Sequence, residues 1–311
     1  RRRGTFPLAG QRSFGKNKVE LREQLLRGRQ FLRALRRPRG QGAQYFLHFA
    51  LLGQPQFAQA VVELHDRFRL NEQRGAGRGL VVDEAAGRVP VLAGAGGYDT
   101  RDVIHIARRM EQAGAGGLLS VTPYYNKPTP EGLYQHYRAI AEAVPLPIIV
   151  YNVPGRTGVN IDPATLVRLS TIPGIVGVKE ASGNMGQICD VCRSVPEDFI
   201  VLSGDDALTL PVMAVGGHGI ISVASNGLPA EMVRMVEYAE AGDFAAARRI
   251  HNSLMPFMTV NFIEANPIPI KAAMSMMGLI EERYRLPLVP PRPASREKIA
   301  AVLDQLAVTV Q

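Results

Sequence analysis

Cysteine is nearly absent from this chain: 311 residues carry two, Cys189 and Cys192. That argues against a disulfide framework and fits a reducing compartment, so a cytoplasmic location is expected. The pair forms a C-x-x-C, but no second ligand pair accompanies it and the pattern over 187–195 is helical. Both read as helix residues rather than as a metal or redox site. Long apolar runs are missing too. No stretch reaches the roughly 18 uncharged apolar residues of a membrane span, so no membrane partner is expected. The six histidines show neither H-x-H nor H-x-x-x-H spacing, which argues against zinc. Asp205-Asp206 has no further Asp, Glu or His beside it; Asp206 reads better as an N-cap for the following helix than as a metal ligand.

Hydroxyl residues are scarce at one end. Residues 1–80 hold one serine, Ser13, and one threonine, Thr5, with 17 Lys/Arg against 5 Asp/Glu. The remaining 231 residues carry 19 against 23. A targeting peptide would share the arginines but be serine-rich, and a secretory signal would need an apolar core after Arg1–Arg3. No basic helix with interleaved aromatics appears, so nucleic acid is not an expected partner. Helical pattern is present at 19–35 and 57–68 without any strand–turn–helix rhythm. Residues 1–80 are expected to be an aberrant, poorly organised basic region.

From Gly87 the rhythm becomes regular. Short apolar, β-branched runs lie at 89–94, 117–122, 147–152, 175–179, 199–203 and 219–223. Helical patterns at 102–112, 130–143, 163–169, 186–195 and 208–215 bridge them. Thr129-Pro130-Glu131 and Asp162-Pro163 supply a capping oxygen followed by proline at the first helical position. Such alternation implies a parallel sheet with right-handed crossovers. After 223 only helices are expected, at 229–241, 243–258, 267–277 and 295–306, with Asp243 and Ser295 as caps. The expected domains are 81–228, a βα-repeat body, and 229–311, a helical appendage. Six strands are visible, whereas a closed barrel of this kind needs eight.

Polar, aromatic and glycine residues collect after each strand, as at the catalytic face of an α/β barrel. Lys179 ends the apolar run 175–179. It reads either as a nucleophile for Schiff-base chemistry or as a lysine that has reached solvent or pairs with Glu180. Tyr124, Tyr125 and Tyr151 fit proton shuttling better than simple packing. Arg156, set between glycines, suits a fork for a carboxylate. The glycines at 94–97 are only a weak dinucleotide signal, since the expected acidic residue is not in place.

The segments TPYYNKP (122–128), YNVPGRTG (151–158), GVKEASGN (177–184), LSGDD (202–206), GGHGIISV (216–223) and NPIPIK (266–271) together resemble the dihydrodipicolinate synthase family. This is a branch of the pyruvate-dependent class I aldolases, alongside the N-acetylneuraminate lyases. The similarity runs over about 81–311. It implies a (β/α)8 TIM barrel with a C-terminal helical domain and a homotetramer built as a dimer of dimers. It also implies a lyase of lysine and diaminopimelate biosynthesis that condenses pyruvate with L-aspartate 4-semialdehyde, without metal or organic cofactor. By the resemblance, Lys179 forms the Schiff base, Tyr151 passes protons, and Tyr125 completes the relay from a neighbouring subunit. Arg156 holds the carboxylate of the semialdehyde, while Gly204 and Ile221 line the pyruvate pocket. Sialic-acid lyases usually lack the arginine of GRTG.

The chain departs from the pattern at its start. The family's Gly-Thr-Thr-Gly-Glu, which binds the pyruvate carboxylate, should fall near 61–64, where Val61-Val62-Glu63-Leu64 stand. Strands one and two are therefore expected to be missing or aberrant, with two sheet edges open, poor folding and very weak activity. The switch near Val81 points to a shifted reading frame or a natural replacement of the N-terminal region. Two other readings stand beside the synthase: another 2-oxo-acid aldolase, or a catalytically impaired barrel acting as a scaffold.

Overall fold

The computed structural model describes residues 80–306, together with the backbone of 47–52 and 58–62. One eight-stranded sheet organises the chain: β1 (Leu47–Leu52), β2 (Ala58–Val62), β3 (Leu92–Gly94), β4 (Gly117–Val121), β5 (Ile148–Asn152), β6 (Ile175–Glu180), β7 (Ile200–Ser203) and β8 (Gly219–Ser222). The strand order is β2-β1-β8-β7-β6-β5-β4-β3. Strands β3 to β8 are parallel, each joined to the next through at least one helix. That is the curled, partial TIM barrel implied by six βα units.

The first two strands depart from that rule. β1 runs antiparallel to both β2 and β8, with Ala50 opposite Ile221. The helical pattern expected at 57–68 is thus corrected, because β2 occupies Ala58–Val62 within it. The helix expected at 19–35 lies outside the described residues. The edge of β8 is covered rather than open, so the ends of the strand order are β2 and β3.

Helices α1 (Leu80–Ala85), α2 (Thr100–Gln112), α3 (Pro130–Ala143), α4 (Pro154–Thr157), α5 (Pro163–Ser170), α6 (Met185–Ser194) and α7 (Thr209–Ala214) accompany the strands. Local chemistry starts several of them. Asp99, Thr129, Asp162 and Asn184 each accept a hydrogen bond from a backbone N–H of the first turn, and Pro130 and Pro163 supply a preset φ. Beyond β8 come α8 (Pro229–Glu240), α9 (Phe244–Val260), α10 (Ile268–Met276) and α11 (Pro293–Gln305). Asp243 caps α9 as expected. Ser295 does not cap α11, which begins two residues earlier on Pro293 with Arg292 in the cap position.

Strand alternation divides the core. Leu92, Leu119, Ile149, Val176, Leu202 and Ile221 fill the inside of the curl. Leu118, Ile140, Val150, Leu166 and Val178 lie between sheet and outer helices. Helices α8 to α11 pack a third cluster, including Met232, Phe257, Ile270 and Ile299, against Ile220 and Val223 of the β8 end. Among the described residues no helix is long and apolar enough to cross a membrane.

Candidate active site

Lys179 owes its position to one irregular rung. β5 and β6 pair Ile148 with Ile175 but Ile149 with Gly177, so Val176 is an extra residue on β6. Ile175 faces the outer helices. Strict alternation from it would have sent Gly177 and Lys179 outward as well. The bulge reverses the parity, so Gly177 and Lys179 turn inward with Ile149 and Tyr151, while Val178 and Glu180 turn outward.

The inward rung is Tyr151 opposite Lys179. Lys179 is 2% exposed, and its Nζ lies 4.2 Å from the centroid of the Tyr151 ring. Gly204 follows β7 on the other side. A Cβ there would stand 2.6 Å from the Ala181 Cβ and 3.2 Å from the Lys179 Cγ, so only glycine leaves room for the lysine stem. Ile221 of β8 is fully buried in the inner cluster against which Tyr151 packs. Lys179, Tyr151, Gly204 and Ile221 therefore lie together at the carboxyl ends of four adjacent strands.

Two expected residues lie farther out. Tyr125, with φ of 69°, is 91% exposed, so its ring projects into solvent rather than onto the Lys179–Tyr151 pair. Its neighbour Tyr124 packs edge-on against Tyr98, with ring centroids 5.7 Å apart, and Asn126 Nδ2 donates to the Tyr98 carbonyl at 3.0 Å. Arg156 is exposed on α4, and its guanidinium donates to the Asn266 carbonyl at 3.4 Å. That contact joins the GRTG turn to the NPIPIK segment. Lys127 crosses the same turn, its Cε 3.0 Å from where a Cβ on Gly158 would sit.

Glu180 does not pair with Lys179. It is 1% exposed on the opposite face, and it accepts from Asn152 Nδ2 at 2.9 Å and from the Ser182 N–H at 2.7 Å. This polar group was missed in the sequence. Its only signal was an acid directly after a buried strand, with its direction hidden by the bulge. Asp206 also differs from expectation. Asp205 accepts from the Ala207 N–H at the start of the following turn. Asp206 instead is fully buried and accepts from Ser222 Oγ and from the N–H groups of Val223 and Ala224, tying β7 to the end of β8. Burial pushes its carboxyl above the usual range, partly offset by those donors.

Cys189 is exposed and Cys192 half-buried on α6, and burial pushes the Cys192 thiol up to about 11. Among the described residues no group of three His, Cys, Asp or Glu side chains could hold a metal ion.

The model of the Dihydrodipicolinate synthetase family matches residues 72–306. A 4-hydroxy-tetrahydrodipicolinate synthase of Koribacter versatilis is 53% identical over 223 residues, covering 71% of this chain and 74% of that protein. That of Chloroherpeton thalassium is 54% identical over 230 residues, 74% of this chain and 76% of its own. Among solved structures, dihydrodipicolinate synthase from Aquifex aeolicus superposes with a TM-score of 0.73 at 44% identity. That match covers 74% of this chain and 79% of the other. Fold, inward lysine and sequence likeness all extend over the same βα units, and on these grounds the chain belongs to the dihydrodipicolinate synthetase family.

Proposed function

We propose that this chain condenses pyruvate with L-aspartate 4-semialdehyde to give 4-hydroxy-tetrahydrodipicolinate, through a Schiff base on Lys179. The observation that carries the reading is the inward Lys179 amine beneath the Tyr151 ring, in a chain about half identical to synthases of that name.

The chemistry follows from the groups present. The Lys179 amine adds to the ketone of pyruvate, and loss of water leaves an iminium. Tyr151, opposite Lys179 on the neighbouring strand, hands a proton to the departing hydroxyl. The iminium withdraws electrons, so the methyl group of pyruvate loses a proton and becomes an enamine carbon. That carbon attacks the aldehyde, and the amino group of the second substrate then displaces the lysine as the ring closes. Gly204 and Ile221 shape the pocket for the small keto acid, and Arg156 at the rim offers a fork for the carboxylate of the semialdehyde. Tyr125, solvent-facing in one protomer, is proposed to reach the site of a second copy in a dimer of dimers. The proposed domain division is 1–80, 81–228 and 229–311, and the proposed compartment is the cytoplasm.

Borohydride reduction in the presence of pyruvate tests the reading. One reduced adduct per chain, located at Lys179 by peptide mass spectrometry and lost in Lys179→Ala, is the expected result. Absence of labelling at millimolar pyruvate would refute Schiff-base catalysis and leave a scaffold.

A further inference from the structure

On the outer face, one rung beyond Tyr151 and Lys179, Asn152 stands opposite Glu180. Both are essentially inaccessible, at 0% and 1% exposure. Asn152 uses every polar atom of its side chain. Its Nδ2 donates to Glu180 Oε2 and to Asn160 Oδ1, both at 2.9 Å, and its Oδ1 accepts from the Ile161 N–H at 3.0 Å. Glu180 spends its other oxygen on the Ser182 N–H. Gln187 of α6 closes the group: its Nε2 donates to Asn160 Oδ1 at 3.2 Å and its Oε1 accepts from Asn160 Nδ2 at 2.8 Å.

This arrangement joins two parts of the site. Residues 153–160, which carry Arg156, leave the barrel after Asn152 and return at Ile161. The Asn152 side chain holds the returning end of that excursion while gripping the strand that carries Lys179. A buried carboxylate satisfied by fixed amides also resists sliding of β6 against β5, because any shift would strand polar atoms in an apolar layer.

We infer that Asn152 and Glu180 are positioning residues, a buried amide–carboxylate rung that sets the Lys179–Tyr151 approach and couples it to the Arg156 turn. The inference rests on the proposed Schiff-base reading for its kinetic consequences, but not for its geometry.

The rung can be broken and rebuilt without changing its size. In Glu180→Gln the new amide must keep its carbonyl toward Ser182, so its NH2 meets that of Asn152. Asn152 cannot turn over, since its carbonyl holds Ile161. In Asn152→Asp two carboxylates face each other. In the double variant the partners exchange roles: the carboxylate at 152 accepts from Ile161 and from the amide at 180, and Asn160 and Gln187 turn over together, so that Asn160 donates to that carboxylate and keeps both bonds to Gln187. Each single variant is expected to slow pyruvate trapping at Lys179 roughly tenfold or more and to raise the KM for the semialdehyde. The double variant is expected to recover most of both. Asn160→Ala keeps the Asn152–Glu180 bond but removes the bonds from the turn to Asn152 and Gln187, and is expected to raise that KM by a larger factor than it slows trapping.

A second readout needs no turnover. Reductive 13C-methylation gives Lys179 a methyl resonance displaced by the Tyr151 ring, identified by its loss in Lys179→Arg. That displacement is expected to collapse in the single variants and return in the double. If the unsubstituted chain traps no pyruvate, the proposed function falls and the resonance alone decides the positioning. Single variants with parental trapping and parental displacement, or a double variant no better than its parents, would overturn the rung.

Discussion

Gly204→Ala adds one carbon at the tightest point beside the lysine. The new Cβ would sit 2.6 Å from the Ala181 Cβ, 3.2 Å from the Lys179 Cγ and 3.3 Å from the Glu180 carbonyl oxygen. Carbon atoms rest about 3.5–4.0 Å apart, so the end of β7 must withdraw by about 1 Å. Nothing nearby yields easily. The Ala181 methyl has no rotamer to change, and withdrawal stretches the 2.8 Å bond from the Gly204 N–H to the Glu180 carbonyl. Overpacking of this kind costs about 1–3 kcal/mol, which for a body of this size lowers Tm by roughly 3–10 °C. The same movement displaces the lysine stem, and misplacing a reacting group by about 1 Å costs on the order of a hundredfold in rate. Differential scanning calorimetry and the time course of borohydride trapping measure the two effects. Gly155→Ala serves as control, since a Cβ there meets nothing within 4 Å and both readouts should hold. A Gly204→Ala protein that melts within a degree of the parent and traps pyruvate at the parental rate would refute the packing argument.

Tyr151→Phe keeps the ring over Lys179 but removes the phenol, so trapping should slow by roughly a hundredfold with little change in thermal stability; an unchanged rate would remove Tyr151 from the proton path. His136 gives a pH signature, because burial lowers its pKa to about 4 from 6.5, with Asp99 opposing the shift. As pH falls from 6.5 toward 4 the unfolded chain takes up a proton that the folded chain refuses, so stability is full above that window and drops within it by roughly 3 kcal/mol. Urea midpoints measured from pH 7 to 4.5 should show this slope flattened in His136→Gln, and identical slopes would refute the assignment.

The sequence carried the parallel units well because each is announced by a short apolar run, and some a second time by a capping residue or proline before the next helix. Thr129-Pro130 starts α3 where the residues say it should, and Asp162-Pro163 starts α5. The caps failed where chemistry was generic. Ser295 looks like a cap, but Pro293, preset for the first turn, begins α11 earlier. Two adjacent acids, Asp205 and Asp206, could not be told apart by residue type, and only one serves the turn they precede. Residues 58–62 read as helix from apolar spacing, yet pair as a strand. Short apolar runs of that length fit either period, and pairing with a neighbour decides.

The site itself was legible as a set of strand ends and illegible as a set of directions. Lys179 and Glu180 are adjacent, so one must face the pocket and the other the helices, and composition does not say which. The extra residue at Val176 decides it, by reversing the alternation two residues before the lysine. The choice has energetic consequences on both faces. Without the bulge, a carboxylate would enter the apolar interior formed by Leu119, Ile149 and Leu202, and an ammonium would meet the amide of Asn152, whose free donor would have no acceptor. With it, the lysine takes the inner face and the glutamate the outer one. The acid is fully bonded outside, and the amine is left facing a tyrosine ring inside. Alternation alone parts the lysine from the acid beside it; the irregularity in β6 decides that the amine, the proposed nucleophile, takes the inner face and that the acid anchors the strand from the outer one.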